Sequence, residues 1–224
     1  MRRPPVPTTV LALLAALATV LLGAPTASAA PTAVRGGDVL YDDRGRYCVV
    51  AFNARRGSEY HGILAGHCMG ATAATWYADA ARTVPVGTTG AGSFPGDTYG
   101  VIRYTNTLLA YPGEVSLGGG AARDITGAAS PRVGQSVCHM GRVSGLRCGT
   151  VNAVNVTVNH PGGTLHGLFR SNACSEVGDE GGPAFSGTTA LGIIVGGSGN
   201  CAFGGVTYYQ PVTQILAAHG LTLY

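Results

Sequence analysis

The amino-acid sequence predicts an all-β protein, and three observations carry that prediction. Glycine occurs 36 times and proline 12 times among 224 residues, while 11% of residues are charged and 46% hydrophobic. That composition supplies many tight turns between apolar strands. The apolar residues fall in short alternating runs, the pattern of half-buried strands. No strand-then-helix alternation is visible, so a parallel sheet is excluded and barrels or sandwiches remain. The chain is long enough to bury a sizeable core.

The elements follow in order. Arg2 and Arg3, an apolar run from Val10 to Leu22 and the small-residue site Ala27-Ser28-Ala29 read as a secretory signal peptide over 1–29. The run is too short for a comfortable membrane span. A short spacer, 30–34, follows. Strands are then predicted in "YCVVAFNARRG" (47–57), "YHGILAGHC" (60–68), "TYGVIRYT" (98–105), "SVCHMG" (136–141), "CGTVNAVNVTVN" (148–159), "LHGLFRS" (165–171), "ALGIIVGG" (190–197) and "GVTYYQPV" (205–212). "SLGGGAA" (116–122) is the best boundary between two β halves, 35–118 and 119–224. One helix is expected near the end, with Pro211 at its start, Ile215 and Leu216 on its buried side and Gly220 at its stop.

Charge and cysteine content narrow the function classes. Every one of the 14 basic residues is arginine, and without 1–29 twelve remain against eleven acidic residues. A near-neutral chain with no basic patch gives no sign of a nucleic-acid partner. Six cysteines in an exported chain imply disulfides, and they stand as three near-neighbour pairs: Cys48 and Cys68, Cys138 and Cys148, Cys174 and Cys201. Fifteen connectivities are open, of which the sequential one is the simplest. "GHC" (66–68) lacks further Cys or His ligands at short spacing, so no metal and no cofactor are expected.

Three stretches carry chemistry. "LAGHC" (64–68) ends an apolar strand in His67. "FPGDTYGVIRY" (94–104) sets an acidic residue before a strand. "GDEGGP" (178–183) is a glycine-rich turn whose backbone can approach a ligand closely. Together with "GGDVLY", "VCHMGRVSGLRCGTVNAVNVTVN", "GGSGNC" and "YYQPVT", they make residues 34–224 closely resemble the streptogrisin and alpha-lytic protease branch of the chymotrypsin-fold serine proteases. The resemblance implies two antiparallel six-stranded β-barrels with the active site between them. It also implies the disulfides 48–68, 138–148 and 174–201.

The family mechanism uses a serine nucleophile, a histidine base, an orienting aspartate and backbone N–H donors for the oxyanion. By position, the resemblance puts His67 at the base. It puts Gly178 and Glu180 at the oxyanion donors, and Gly196, Gly197 and Ser198 on the edge that pairs with substrate backbone. Glu176 falls on the rim. The departures cluster. Glu180 stands at the serine position, and Thr98 at the aspartate position with Asp97 one residue early. Val195 replaces a serine that supports the aspartate, and His139 replaces an arginine that pairs with Asp179. Asp179 is therefore expected to be held weakly. Glu180 is expected within ion-pair reach of His67, favouring the imidazolium.

A carboxylate is a weak nucleophile toward amides. The sequence is therefore read as a secreted monomer, free of the membrane once the signal is cleaved. Its protease chemistry is lost, and its inter-barrel cleft binds an extended peptide or a proteinaceous protease inhibitor. The alternative is a serine-type endopeptidase with residual or unusual activity. It would work through His67 and a relocated acid or hydroxyl; Ser175, Ser186 and Ser198 lie nearby in sequence, none in the elbow position. Asn155-Val156-Thr157 fits a glycosylation sequon but reads more simply as a strand edge.

Overall fold

A computed structural model describes Met1 and residues 32–70, 73–160 and 162–224. The signal-peptide segment therefore lies outside the described residues, apart from Met1. The first sheet contains β1 (Val39–Asp42), β2 (Tyr47–Val49), β3 (Phe52–Arg56), β4 (Glu59–Leu64), β5 (Thr75–Tyr77), β6 (Pro85–Ser93) and β7 (Tyr99–Tyr104). Their order is β2-β1-β5-β6-β7-β4-β3. The two ends of that order, β2 and β3, are consecutive in the chain and separated only by Val50 and Ala51. The predicted strand 47–57 is thus one run that leaves β1 and joins β4, which closes the sheet into a barrel with six positions. Closure removes the exposed edges that an open sheet would present.

A hairpin of β8 (Glu114–Gly118) and β9 (Ala121–Asp124) follows in the chain. Gly118, Gly119 and Gly120 all have positive φ at its turn, a conformation that a side chain would strain. The "SLGGGAA" stretch is this turn, lying in sequence between the two sheets.

The second sheet comprises β10 (Gly127–Ala128), β11 (Ser136–Gly141), β12 (Gly145–His160), β13 (Gly163–Ser171), β14 (Pro183–Ser186), β15 (Thr189–Asn200) and β16 (Gly204–Pro211). The order is β10-β15-β14-β11-β12-β13-β16, and β15 also pairs with β16. That extra pairing closes β11 to β16 into a second six-stranded barrel, with β10 added in parallel at one side. Helix α1 (Val212–His219) follows, flanked by Pro211 and stopped by Gly220 at φ 59°. Ile215 is buried and Leu216 half-buried, as the sequence predicts.

Three groups of buried side chains explain the cohesion. Leu40, Val50, Leu64, Trp76, Val86 and Ile102 fill the first barrel. Trp76 is fully buried and donates its indole N–H to Thr89 Oγ1 at 3.1 Å, so its one polar atom is satisfied. Val137, Val151, Phe169, Leu191, Ile194 and Tyr209 fill the second. The third group joins Phe52, Ile63 and Val101 of the first barrel to Phe185, Ile193 and Ile215 of the second barrel and helix. The barrels are therefore packed through an apolar interface. The disulfides are Cys48–Cys68, Cys138–Cys148 and Cys174–Cys201, as the resemblance implies.

Candidate functional site

His67 sits in a 3₁₀ turn, Gly66–Cys68, at the end of β4. The Cys48–Cys68 bridge ties that turn to β2. Thr98 is buried immediately before β7 and packs against the same turn. A Cβ built on Gly66 would lie 3.0 Å from Thr98 Oγ1, 2.9 Å from Tyr99 N and 2.7 Å from the Ser93 carbonyl. Glycine at 66 is what lets the His67 turn and the start of β7 approach this closely. The Phe94–Pro95 peptide in the preceding turn is cis.

No carboxylate takes hold of His67 from this side. Thr98 donates its N–H to Gln210 Oε1 at 3.0 Å. Gln210 Nε2 donates to Asp97 Oδ1 at 3.4 Å and also to Gln214 Oε1. Asp97 is therefore engaged with a glutamine on β16. Among the described residues, the His67 ring meets no hydrogen-bond partner. Gln210, fully buried in an apolar strand, was not singled out from sequence, although a buried amide in "YYQPV" is itself a signal of a polar network.

The "GDEGGP" turn is held by carboxylates on two sides. Asp179 is fully buried and accepts backbone N–H groups of Val143 at 2.7 Å, Ser144 at 3.0 Å and Glu176 at 2.8 Å. Burial alone would raise its pKa. The N–H donors of Glu176, Ser144 and Val143, with the Ser144 side chain, outweigh burial and hold it below the usual carboxylate value. The expectation that Asp179 is weakly held is thereby overturned: backbone donors do the work assigned to residue 139. His139 instead places Nδ1 2.7 Å from the Tyr209 hydroxyl. That hydroxyl also meets Ser171 Oγ at 2.9 Å. Burial drives the His139 pKa down to about 4, and its buried Nε2 meets no hydrogen-bond partner among the described residues. The imidazole is therefore neutral at ordinary pH.

Glu180 does not form the expected ion pair with His67. Its Oε2 accepts the N–H of Gly178 at 2.9 Å, folding the side chain back over its own turn. Gly178 has φ +99°, which aims that N–H at the carboxylate. Glu180 still acts on His67 through space. Burial by the surrounding protein lowers the His67 pKa, although the residue opens onto solvent. Glu180 opposes that shift, and His160 and Arg46 add to it. The net direction is down because desolvation exceeds the attraction of Glu180, which itself acts in the expected sense and favours the imidazolium.

His67 borders two cavities. One, about 520 Å³, runs between the His67 turn and β6 and is lined by Gly66, Met69, Thr89, Gly92, Ser93 and Phe94, among others. The second, about 170 Å³, is lined by Tyr47, Cys48, Val49, His67, Gly178 and Glu180. The second brings together four residues singled out from sequence, Cys48, His67, Gly178 and Glu180, and adds Tyr47 and Val49, which were not. Gly196, Gly197 and Ser198 lie on β15 beyond its ladder with β14. From Gly196 to Asn200 the strand pairs only with β16, leaving the other edge without a strand among the described residues. Of the alternative hydroxyls, Ser175 is buried and bonded to Thr207 Oγ1 at 2.9 Å. Ser175, Ser186 and Ser198 line neither cavity that contains His67.

No protein-family model matches the chain. Individual relatives do. Serine protease 2 of Streptomyces fradiae is 45% identical over 176 residues, 78% of this chain and 100% of the relative. Streptogrisin-A of Streptomyces griseus is 41% identical over 191 residues, 85% of this chain and 61% of the relative. The solved structure of "Alpha-lytic protease homolog N4" superimposes with a TM-score of 0.80 at 58% identity, covering 86% of this chain and 100% of that one. On this similarity of sequence and double-barrel architecture, the chain belongs to the streptogrisin and alpha-lytic type of chymotrypsin-fold serine proteases.

Proposed function

We propose that this chain is a secreted member of the family that has lost proteolysis and binds an extended peptide, or the peptide-like loop of a protease inhibitor, along the inter-barrel cleft. One observation carries the reading: the Oε2 of Glu180, the residue that the resemblance aligns with the nucleophile, accepts the N–H of Gly178, a proposed oxyanion donor. A carboxylate there attacks amides poorly and also fills the place where a developing oxyanion would be stabilised. Thr98 supports the same conclusion, since a buried hydroxyl cannot supply the negative charge that steadies an imidazolium. The unpaired stretch of β15 at Gly196, Gly197 and Ser198 supports peptide binding by strand addition. Secretion rests on the N-terminal signal-like segment and agrees with three disulfides.

The test is covalent labelling with a fluorophosphonate probe, alongside casein and peptide-ester hydrolysis at high protein concentration. No labelling and no turnover above buffer are expected. Labelling of any serine at a rate typical of an active relative would refute the loss of chemistry.

A further inference from the structure

We propose that the cavity between Tyr47, His67 and Glu180 is an ammonium-recognition site, so that the cleft selects peptides presenting a free amine. This rests on the cleft-binding reading above and adds the chemistry of its ligand.

The cavity carries an uncompensated carboxylate. Glu180 is half-buried and lines a cavity of about 170 Å³. Its Oε2 is fixed by the Gly178 N–H at 2.9 Å. Among the described residues, Oε1 accepts no hydrogen bond and no arginine or histidine lies within ion-pair distance. A partly desolvated carboxylate is costly unless a cation meets it. The neighbouring cations are committed elsewhere. Arg46 is paired with Asp42 at 2.7 Å. Arg142 stacks over the Tyr47 ring at 4.3 Å from its centroid. His67, across the cavity, is biased toward its neutral form by burial.

A neutral imidazole offers an acceptor nitrogen, and Glu180 Oε1 offers another. The complementary group is a compact cation with several donors. An ammonium carries three N–H donors and no acceptor. Tyr47 and Val49 provide a wall for the carbon next to it. The volume suits such a group, equal to that of about six waters at roughly 30 Å³ each. A metal ion fits less well. The cysteine sulfurs beside His67 are spent in the Cys48–Cys68 disulfide, which leaves one imidazole and one carboxylate. The amine could be a peptide α-amine or a lysine ε-amine, since the donor chemistry is shared.

The experiment compares three dye-labelled pentapeptides of one sequence by fluorescence polarisation. One has a free N-terminus, one is N-acetylated, and one is N-acetylated with lysine in first place. The wild type should bind at least one amine-bearing peptide about tenfold or more tightly than the blocked peptide, the range of a charge-assisted hydrogen bond. The arm that shows the gain identifies the source of the amine. In Glu180→Gln the preference should fall below about twofold. Glutamine keeps an oxygen for the Gly178 N–H and so spares the turn. Where a pentapeptide binds, no preference in the wild type, or a preference that survives Glu180→Gln, overturns the site.

A second measurement separates this site from the cleft reading. Ethylammonium chloride is titrated against sodium chloride while the Gly178 amide and the His67 ring are followed by NMR. Shifts specific to ethylammonium in the wild type and absent in Glu180→Gln support the site even if no pentapeptide binds, an outcome that sinks the cleft reading alone. Peptide binding without amine preference, together with no ethylammonium shift, sinks the site and leaves the cleft reading standing.

Discussion

Replacing Asp179 by alanine tests whether the turn before Glu180 is held by backbone donors. In the folded protein the carboxylate is fully buried and accepts N–H groups from Val143, Ser144 and Glu176 at 2.7, 3.0 and 2.8 Å. Alanine removes all three acceptors at once. Each buried donor left unsatisfied costs about 1–3 kcal/mol, with partial relief where water enters. The expected loss is about 3–5 kcal/mol. For a domain of this size that lowers the melting temperature by roughly 10 °C. Asp179→Asn keeps the shape and one oxygen and should lose about half as much. The sign of the pH dependence is fixed by the lowered pKa of Asp179. Its contribution is present above the unfolded carboxyl value and is lost as pH falls through the folded value. The gap between wild type and Asp179→Ala should therefore narrow below about pH 4. The assay is thermal and urea unfolding followed by fluorescence at a series of pH values. A variant melting within about 2 °C of the wild type, or a gap that widens toward acid, would refute the account.

Other perturbations test the neighbouring groups. Glu180→Ser alone should recover little hydrolysis, because Thr98 leaves His67 unoriented. Glu180→Ser with Thr98→Asp should exceed it by up to about 10⁴-fold in ester cleavage, and a double variant that folds but resists fluorophosphonate would show that 98 and 180 are misassigned. The His67 pKa, already lowered by burial, should fall further in Glu180→Gln, since Glu180 is the group opposing the shift; an NMR titration giving an equal or higher value contradicts this. Because a lowered histidine pKa leaves the folded state with fewer protons than the unfolded one, His139, at about 4, should weaken the fold as pH falls from about 6.5 toward 4. Tyr209→Phe removes the hydroxyl shared by His139 and Ser171 and should cost about 2 kcal/mol in urea unfolding.

The sequence revealed most where residue type alone carries the information. His67, Glu180 and the glycine-rich turn stand in short motifs, and the cysteines pair as the resemblance implies. The alternating strands 98–105 and 136–141 match β7 and β11 closely. Strands built from small residues were missed. β6, "PVGTTGAGS", lacks the apolar weight that marks a strand, yet pairs along β7 because glycines let the backbones approach. β1, β5 and β14 are three or four residues long, too short to show a period. At the site, the failures concern backbone partners. Sequence reading offered His139 to Asp179 because only side chains are visible in a sequence. The donors that hold it are N–H groups of Val143 and Ser144, brought in by the turn between β11 and β12, and of Glu176 in its own segment. The conformation of Glu180 was hidden for the same reason, since its partner is the N–H of a glycine two residues earlier.

The adjacent carboxylates Asp179 and Glu180 together explain why the turn needs neither serine nor ligand to keep its shape. Asp179 faces inward and satisfies donors from Val143, Ser144 and Glu176. Glu180 folds outward onto the Gly178 N–H. Other turn donors are met by backbone: Asp179 bonds to the Glu176 carbonyl at 3.1 Å, Gly181 to the Ile194 carbonyl at 2.8 Å and Gly182 to the Asp179 carbonyl at 3.0 Å. A serine at 180 would leave the Gly178 N–H open to solvent or ligand. A carboxylate gives it a permanent internal acceptor, with a charge-assisted bond in place of one to water. A preserved scaffold is then compatible with a carboxylate at position 180, because the atoms that hold the turn are those of Asp179 and the backbone. The Glu180 side chain is free to change what the cleft accepts without loosening the barrel beneath it.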